Sequence, residues 1–170
     1  MTQRGNARQA IFQSDSDRLV YLDLLQRECR LRRLLLVGYC LMPNHVHLIA
    51  VPERSDSLPL VLKNVHGRYA AYFNARLAKS GHLWQGRYYS CPLGSAHLWN
   101  ALRYAELNPV RAGMVSTAVD YAWSSAAVHC GLDGGSAPVD LRTWGVGWWR
   151  VRAGVRGRWG SSGRRRYCGK

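Results

Sequence analysis

The sequence predicts an α+β domain of ferredoxin-like type, a β-α-β-β-α-β sheet with helices on one face, followed by one more helix. Three observations predict it. The apolar run Leu34 to Val51 is too long for one strand and is interrupted by Met42-Pro43-Asn44, a turn signal, so it reads as two antiparallel strands. A segment with apolar residues at helical spacing stands on each side of this pair. An aromatic-rich stretch then follows the second helix and supplies a closing strand. Strands interleaved with helices in this order give the split βαβ arrangement.

Thr2 to Arg4 is the stub of a first strand, ending before Gly5-Asn6. Ser14 is positioned to cap the first helix, with Asp17 three residues on as the reciprocal partner of a capping box. Leu19, Leu22, Leu25 and Cys29 then recur at helical spacing to about Arg30. The two central strands span about residues 34–41 and 45–51. A second helix follows Ser57, with Leu58, Val61, Leu62, Val65, Tyr69, Tyr72, Phe73 and Leu77 along one face, and Ser80-Gly81 ends it. Residues 82–91 read as the last strand. Ser95 opens a third helix running to about Asn108, with Leu98, Leu102 and Ala105 as its core stripe.

At 170 residues the chain suits one domain with a sizeable core and some surplus. The division expected is a domain over residues 1–130 and a basic Arg/Gly/Trp-rich tail over 131–170, poorly ordered by its composition. The net charge of +14 points to a polyanionic partner. Nine of the 24 Lys and Arg residues, and no acid, fall in residues 141–170, beside Trp144, Trp148, Trp149 and Trp159. Arginine interleaved with tryptophan suits single-stranded nucleic acid, since bases stack on indoles while guanidiniums neutralise phosphates. A solvated tail with no partner has the same composition, so the tail alone does not carry a nucleic-acid assignment. The N-terminus is polar, and no apolar run approaches the ~20 residues of a membrane span, so a soluble, cytoplasmic protein without membrane contact is expected. The five cysteines are scattered, with no Cys-x-x-Cys pair, which argues against structural zinc.

His45-Val46-His47 opens the second central strand. Side chains at i and i+2 of a strand share one face, ~6.6 Å apart along it. Two neutral imidazoles there can converge on one divalent ion and leave its other positions open. Two surface histidines on an amphipathic strand would give the same pattern. Tyr104 and Asn108, four residues apart on the third helix, project from a face other than its core stripe. A tyrosine hydroxyl is a competent nucleophile toward phosphorus once its proton is displaced. An Asn carbonyl oxygen is a neutral hard ligand suited to Mg²⁺ or Mn²⁺. Separately, Tyr104 reads equally as a packing residue, and Asn108 before Pro109 as the end of one helix and cap of the next. Together with the histidines they compose two imidazoles, an amide oxygen and a nucleophile.

The chain resembles the single-tyrosine HUH transposases, and within them the REP-associated tyrosine transposases. The resemblance runs over about residues 2–127. It is carried by Arg4-Gly5-Asn6, Met42-Pro43-Asn44-His45-Val46-His47, Leu83-Trp84-Gln85-Gly86-Arg87-Tyr88, Tyr104 with Asn108-Pro109-Val110-Arg111-Ala112-Gly113, and Trp123-Ser124-Ser125. It implies that His45, His47 and Asn108 hold Mg²⁺ or Mn²⁺, and that Tyr104 attacks a phosphate of single-stranded DNA. The product would be a 5′-phosphotyrosine link and a free 3′-OH, which a second strand's 3′-OH could resolve. No ATP is required, in keeping with the lack of a Gly-rich phosphate loop. The implied substrates are palindromic-repeat hairpins. Arg68, Arg76, Trp84, Arg87, Tyr88 and Arg111 are candidates to line their groove, though Trp84 and Tyr88 equally suit a core. His97 is a candidate base for Tyr104. Relative to the family the first strand is truncated to about three residues, and the end of the chain past Gly131 departs from the pattern.

Three functions are therefore weighed. The first is a DNA endonuclease and strand transferase working as monomer or homodimer. The second is a decayed or domesticated protein that binds hairpins without cutting. The third is a replication initiator or relaxase, disfavoured by the compact length and by Asn108-Pro109-Val110-Arg111.

Overall fold

The computed structural model describes residues 1–132 and 138–139, so the tail expected over 131–170 lies almost wholly outside the described residues. The central apolar run forms β2 (Leu34–Met42) and β3 (His45–Pro52), joined by the expected Pro43-Asn44 turn. They pair antiparallel, with Met42 opposite His45 and Leu34 opposite Pro52. Strand β1 (Thr2–Arg4) lies on the other side of β3, giving the order β1-β3-β2.

Residues 82–91 do not form the expected strand. The segment touches β1 through isolated bridges, Thr2 to Tyr89 and Gly5 to Trp84. Backbone bonds run from Gln85 N to Arg4 O (2.9 Å) and from Thr2 N to Tyr89 O (2.8 Å). A chain edge therefore occupies the position of a fourth strand, but Gly86 and the exposed run around it interrupt the ladder. Short as it is, β1 is paired on both sides.

Helix α1 (Asp15–Arg32) starts at the anticipated capping box, with Ser14 and Asp17 reciprocally bonded. Asp17 is fully buried and does more than cap. It accepts from Gln13 N (2.8 Å), Ser14 N (3.0 Å), Tyr72 Oη (3.2 Å) and Arg76 Nη2 (2.9 Å), which ties α1 to α2 (Ser57–Arg76). Both helices pack on one sheet face, where Tyr21, Leu25, Leu62, Val65 and Phe73 meet Leu36, Leu41, Val46 and Leu48.

The opposite face receives α3 (Ser95–Glu106), whose Leu98, Leu102 and Ala105 cover Val37 and Ile49. A β-bulge between Leu36 and Gly38 adds one residue to β2 there. A bulge turns two consecutive residues to one side of the sheet. Val37 meets α3 as a side chain, and Gly38 leaves the space that Leu102 enters. Helix α3 stops at Glu106, short of the expected Asn108, and Asn108 opens a separate turn, α4 (Asn108–Arg111). A short helix, α5 (Ala126–His129), the last element among the described residues, closes this side.

Two outcomes follow for stability. A Cβ on Gly38 would overlap Leu102 Cδ1 and stand 3.0 Å from Ser125 Oγ. Leu102 is itself buried, so Gly38→Ala should cost about 1–3 kcal/mol, read from urea unfolding. His66 sits in the α1/α2 core against Tyr21 and Trp84, and burial pushes its pKa from 6.5 down to about 4. Below pH 6.5 the unfolded chain takes up a proton that the folded one refuses. Stability should thus fall as the pH drops from 6.5 to 4, by roughly 3 kcal/mol from this group. His66→Gln should flatten the urea midpoint between pH 7 and 4.5.

Candidate active site

Side chains alternate along β3. Val46 and Leu48 enter the α1/α2 core, while His45, His47 and Ile49 face α3. The two imidazoles lie edge to face, with ring centroids 4.9 Å apart. Each has one nitrogen already engaged. His45 Nδ1 stands 2.7 Å from Asn44 Oδ1. A carbonyl oxygen only accepts, so Nδ1 carries the proton and Nε2 keeps its lone pair. His47 Nδ1 stands 3.0 Å from Thr2 Oγ1, and its Nε2 is buried with no hydrogen-bond partner among the described residues.

Electrostatics hold both rings neutral. Burial pushes the His47 pKa down to about 4, and His45, the N-terminal amine and Arg4 push the same way. His45 is lowered by burial first and by Arg4 second. A neutral imidazole with its lone pair at Nε2 and an oxygen bonded at Nδ1 is the form in which histidine binds metal, and the Asn44 contact puts His45 in it. The unpartnered Nε2 of His47 fits such a group, because leaving a buried ring nitrogen unsatisfied otherwise costs ~1–3 kcal/mol. Among the described residues no cluster of three His, Cys, Asp or Glu side chains is assembled, so any third ligand must be of another type.

Helix α3 carries Tyr104 over this pair. Its ring lies edge-on to His47 at 5.9 Å, within the same chain, and the side chain is 55% exposed. Asn108 reaches back from α4: its Nδ2 donates to Tyr104 O (2.8 Å) and Ala105 O (3.4 Å). Pro109 has no N–H to offer Ala105 O, and the Asn108 amide supplies a longer bond there. Asn108 thus stands one turn past Tyr104, as the spacing predicts, and also caps the end of α3. With Nδ2 turned to the helix end, Oδ1 is the end of the amide left for a ligand role. Arg111 completes the setting, with its guanidinium 4.8 Å from the Tyr104 ring centre and Nη1 bonded to Tyr104 O at 3.3 Å.

The remaining candidates divide. Arg76 pairs with buried Asp17 and Arg68 with Glu28, both in the helical layer behind the sheet. Trp84 belongs to that layer too, its Nε1 donating to His66 O (2.9 Å) and its ring 4.5 Å from His66, and Tyr88 packs against the same core. The structure does not bring these four to the histidine face. Arg87 is exposed in the segment beside β1. His97 is exposed seven residues before Tyr104, ~10 Å along the helix, and no hydrogen bond joins them among the described residues.

One cluster was missed. Glu106, fully buried, accepts from the Ser125 hydroxyl and pairs with His129 Nδ1 at 2.6 Å. His129 Nε2 meets Val37 O at 3.0 Å, and Ser125 Oγ accepts from Tyr39 N at 2.9 Å. This network ties the last turn of α3, two residues past Tyr104, to the bulged strand and to α5. A signal was available. Glu106 lies four residues after Leu102, on the core stripe, and a buried charge on an apolar face needs partners.

Among the described residues, no helix is long and apolar enough to cross a membrane. No curated protein matches the chain. A solved structure described as a REP-associated tyrosine transposase bound to a REP hairpin has a similar fold, with TM-score 0.56 and 18% identity, covering 78% of this chain and 79% of that one. The family model for IS200-like transposases matches residues 2–108, a span that holds β1, the histidine strand, Tyr104 and Asn108, and the chain therefore belongs to the IS200-like transposase family, whose members cleave DNA.

Proposed function

We propose that this protein is a metal-dependent single-stranded DNA endonuclease and strand transferase that acts on palindromic-repeat hairpins through a covalent 5′-phosphotyrosine. The observation that carries the proposal is the approach of Tyr104 to His47, a buried imidazole whose Nε2 lacks a partner. Family membership supports DNA cleavage, and the similarly folded transposase bound to a REP hairpin supports the hairpin substrate.

In this reading His45 and His47, through Nε2, and Asn108, through Oδ1, would hold Mg²⁺ or Mn²⁺. Such an ion supplies Lewis-acid polarisation of the scissile phosphate when bound. Asn44 keeps His45 in the ligating tautomer, and Thr2 Oγ1 orients the His47 ring. Tyr104 Oη attacks phosphorus and loses its proton, the bond from phosphorus to the 3′ oxygen breaks, and that oxygen leaves as a 3′-OH. One phosphodiester is exchanged for another, so the step needs no external energy, and an incoming 3′-OH reverses it to join new ends. Arg111 and the Asn108 cap hold the tyrosine's backbone, while the Glu106 network fixes the helix end beneath it.

The test is incubation with a single-stranded repeat hairpin in Mg²⁺ or Mn²⁺, scored as a protein–DNA adduct stable to denaturation. Wild type should form the adduct and Tyr104→Phe should not, while hairpin affinity stays within about twofold. Tight binding without an adduct in either metal would instead support the binding-only alternative. Asn44→Ala should weaken the metal dependence by ~10–100-fold, read as the Mn²⁺ concentration at half-maximal adduct.

A further inference from the structure

Strand β1 delivers a second cation-bearing side chain to the histidine face. In the antiparallel register Thr2 stands opposite His47 and Arg4 opposite His45. Directly opposed residues project from the same face of a sheet, with Cβ atoms ~5 Å apart. Thr2 confirms the direction, since its hydroxyl meets the His47 ring. The backbone at Arg4 is held on both edges. Its carbonyl accepts from Gln85 N at 2.9 Å, and Gly5 N donates to Asn44 O at 2.9 Å.

Arg4 is exposed, and among the described residues no acid pairs with it. The three buried carboxylates among the described residues pair elsewhere, Asp17 with Arg76, Glu28 with Arg68 and Glu106 with His129. An exposed guanidinium without an acidic partner, on the same face as the histidine pair, is available to an anion seated there.

We propose that Arg4 is a catalytic residue whose guanidinium binds a non-bridging oxygen of the scissile phosphate, on the flank of the histidine pair away from β2. The assignment rests on the DNA-cleaving reading above. Attack by tyrosine builds charge on the equatorial oxygens of phosphorus, and a guanidinium carried on this anchored backbone can meet that charge in two parallel hydrogen bonds. An unspecific surface cation would raise affinity for any phosphate alike; the Arg4 fork acts on one.

The experiment compares wild type with Arg4→Gln and Arg4→Lys on the hairpin oligonucleotide, and on copies carrying one neutral methylphosphonate at the scissile linkage or three linkages away. Adduct formation by Arg4→Gln should slow by ~10²-fold, with partial recovery in Arg4→Lys. Binding is measured in EDTA. The scissile methylphosphonate should weaken wild-type binding by roughly tenfold and leave Arg4→Gln binding unchanged, whereas the distant one should weaken both equally. Additive effects at the scissile linkage, or adduct formation by Arg4→Gln at the wild-type rate, overturn the role of Arg4 alone. Absence of any wild-type adduct overturns the cleavage reading and this assignment with it.

Discussion

Strand β3 pairs along its length with β2 and over three residues with β1, and its side chains must alternate between the two faces of that sheet. Everything else is arranged around this alternation. Val46 and Leu48 are committed to the apolar core with α1 and α2. His45 and His47 are thereby committed to the other side. A slip of one residue in the register would bury both imidazoles among aliphatic side chains and expose two core residues. The apolar side holds the register, and the register holds the histidines in place.

On the histidine side the apolar contact is divided into two clusters, Val37 and Ile49 against Leu102 and Ala105, and Cys40 and Met42 against Tyr121. Polar anchoring adds to the first of them. The Glu106, His129 and Ser125 network reaches the backbone of Val37 and Tyr39, on both sides of the bulge. A buried charged group of this kind adds little net stability, but losing one partner is costly, so it selects a single seating for the helix. That seating is what sets Tyr104 over His47, because the tyrosine itself is half outside the core and makes few contacts of its own. The short turn from Asn108 to Arg111 folds back on the same helix end, so α3 is held from the sheet side and from its terminus.

The helical layer behind the sheet shows the opposite balance. Phe12, Tyr21, Tyr69 and Trp84 pack at tilted and edge-to-face angles, with ring centres 5.2–6.5 Å apart. The buried Tyr69 hydroxyl is satisfied by Ile11 O at 2.6 Å. Here several residues that composition marks for nucleic acid, Trp84 and Arg76 among them, serve packing and ion pairing. Aromatic and arginine side chains suit either role, and only their neighbours decide.

Local signals in the sequence determined the elements that local chemistry controls: the capping box at Ser14 and Asp17, the turn at Pro43-Asn44, and the two-residue period that puts His45 and His47 on one face. They also determined the family pattern, through short blocks whose residue types are constrained by the chemistry they suit. Tertiary structure decided the rest. Residues 82–91 carry strand-forming residues, yet only a second chain edge could have made them a strand, and β1 offers three residues. Asn108 turns its Nδ2 onto the last carbonyls of α3, a capping contact that helical spacing does not encode. Glu106 and His129, 23 residues apart, meet only when α3 and α5 close on the bulge. Arg4 and His45 meet only across a strand pairing. Period and capping act between near neighbours in the chain, whereas partners across a sheet or a helix interface are chosen by packing.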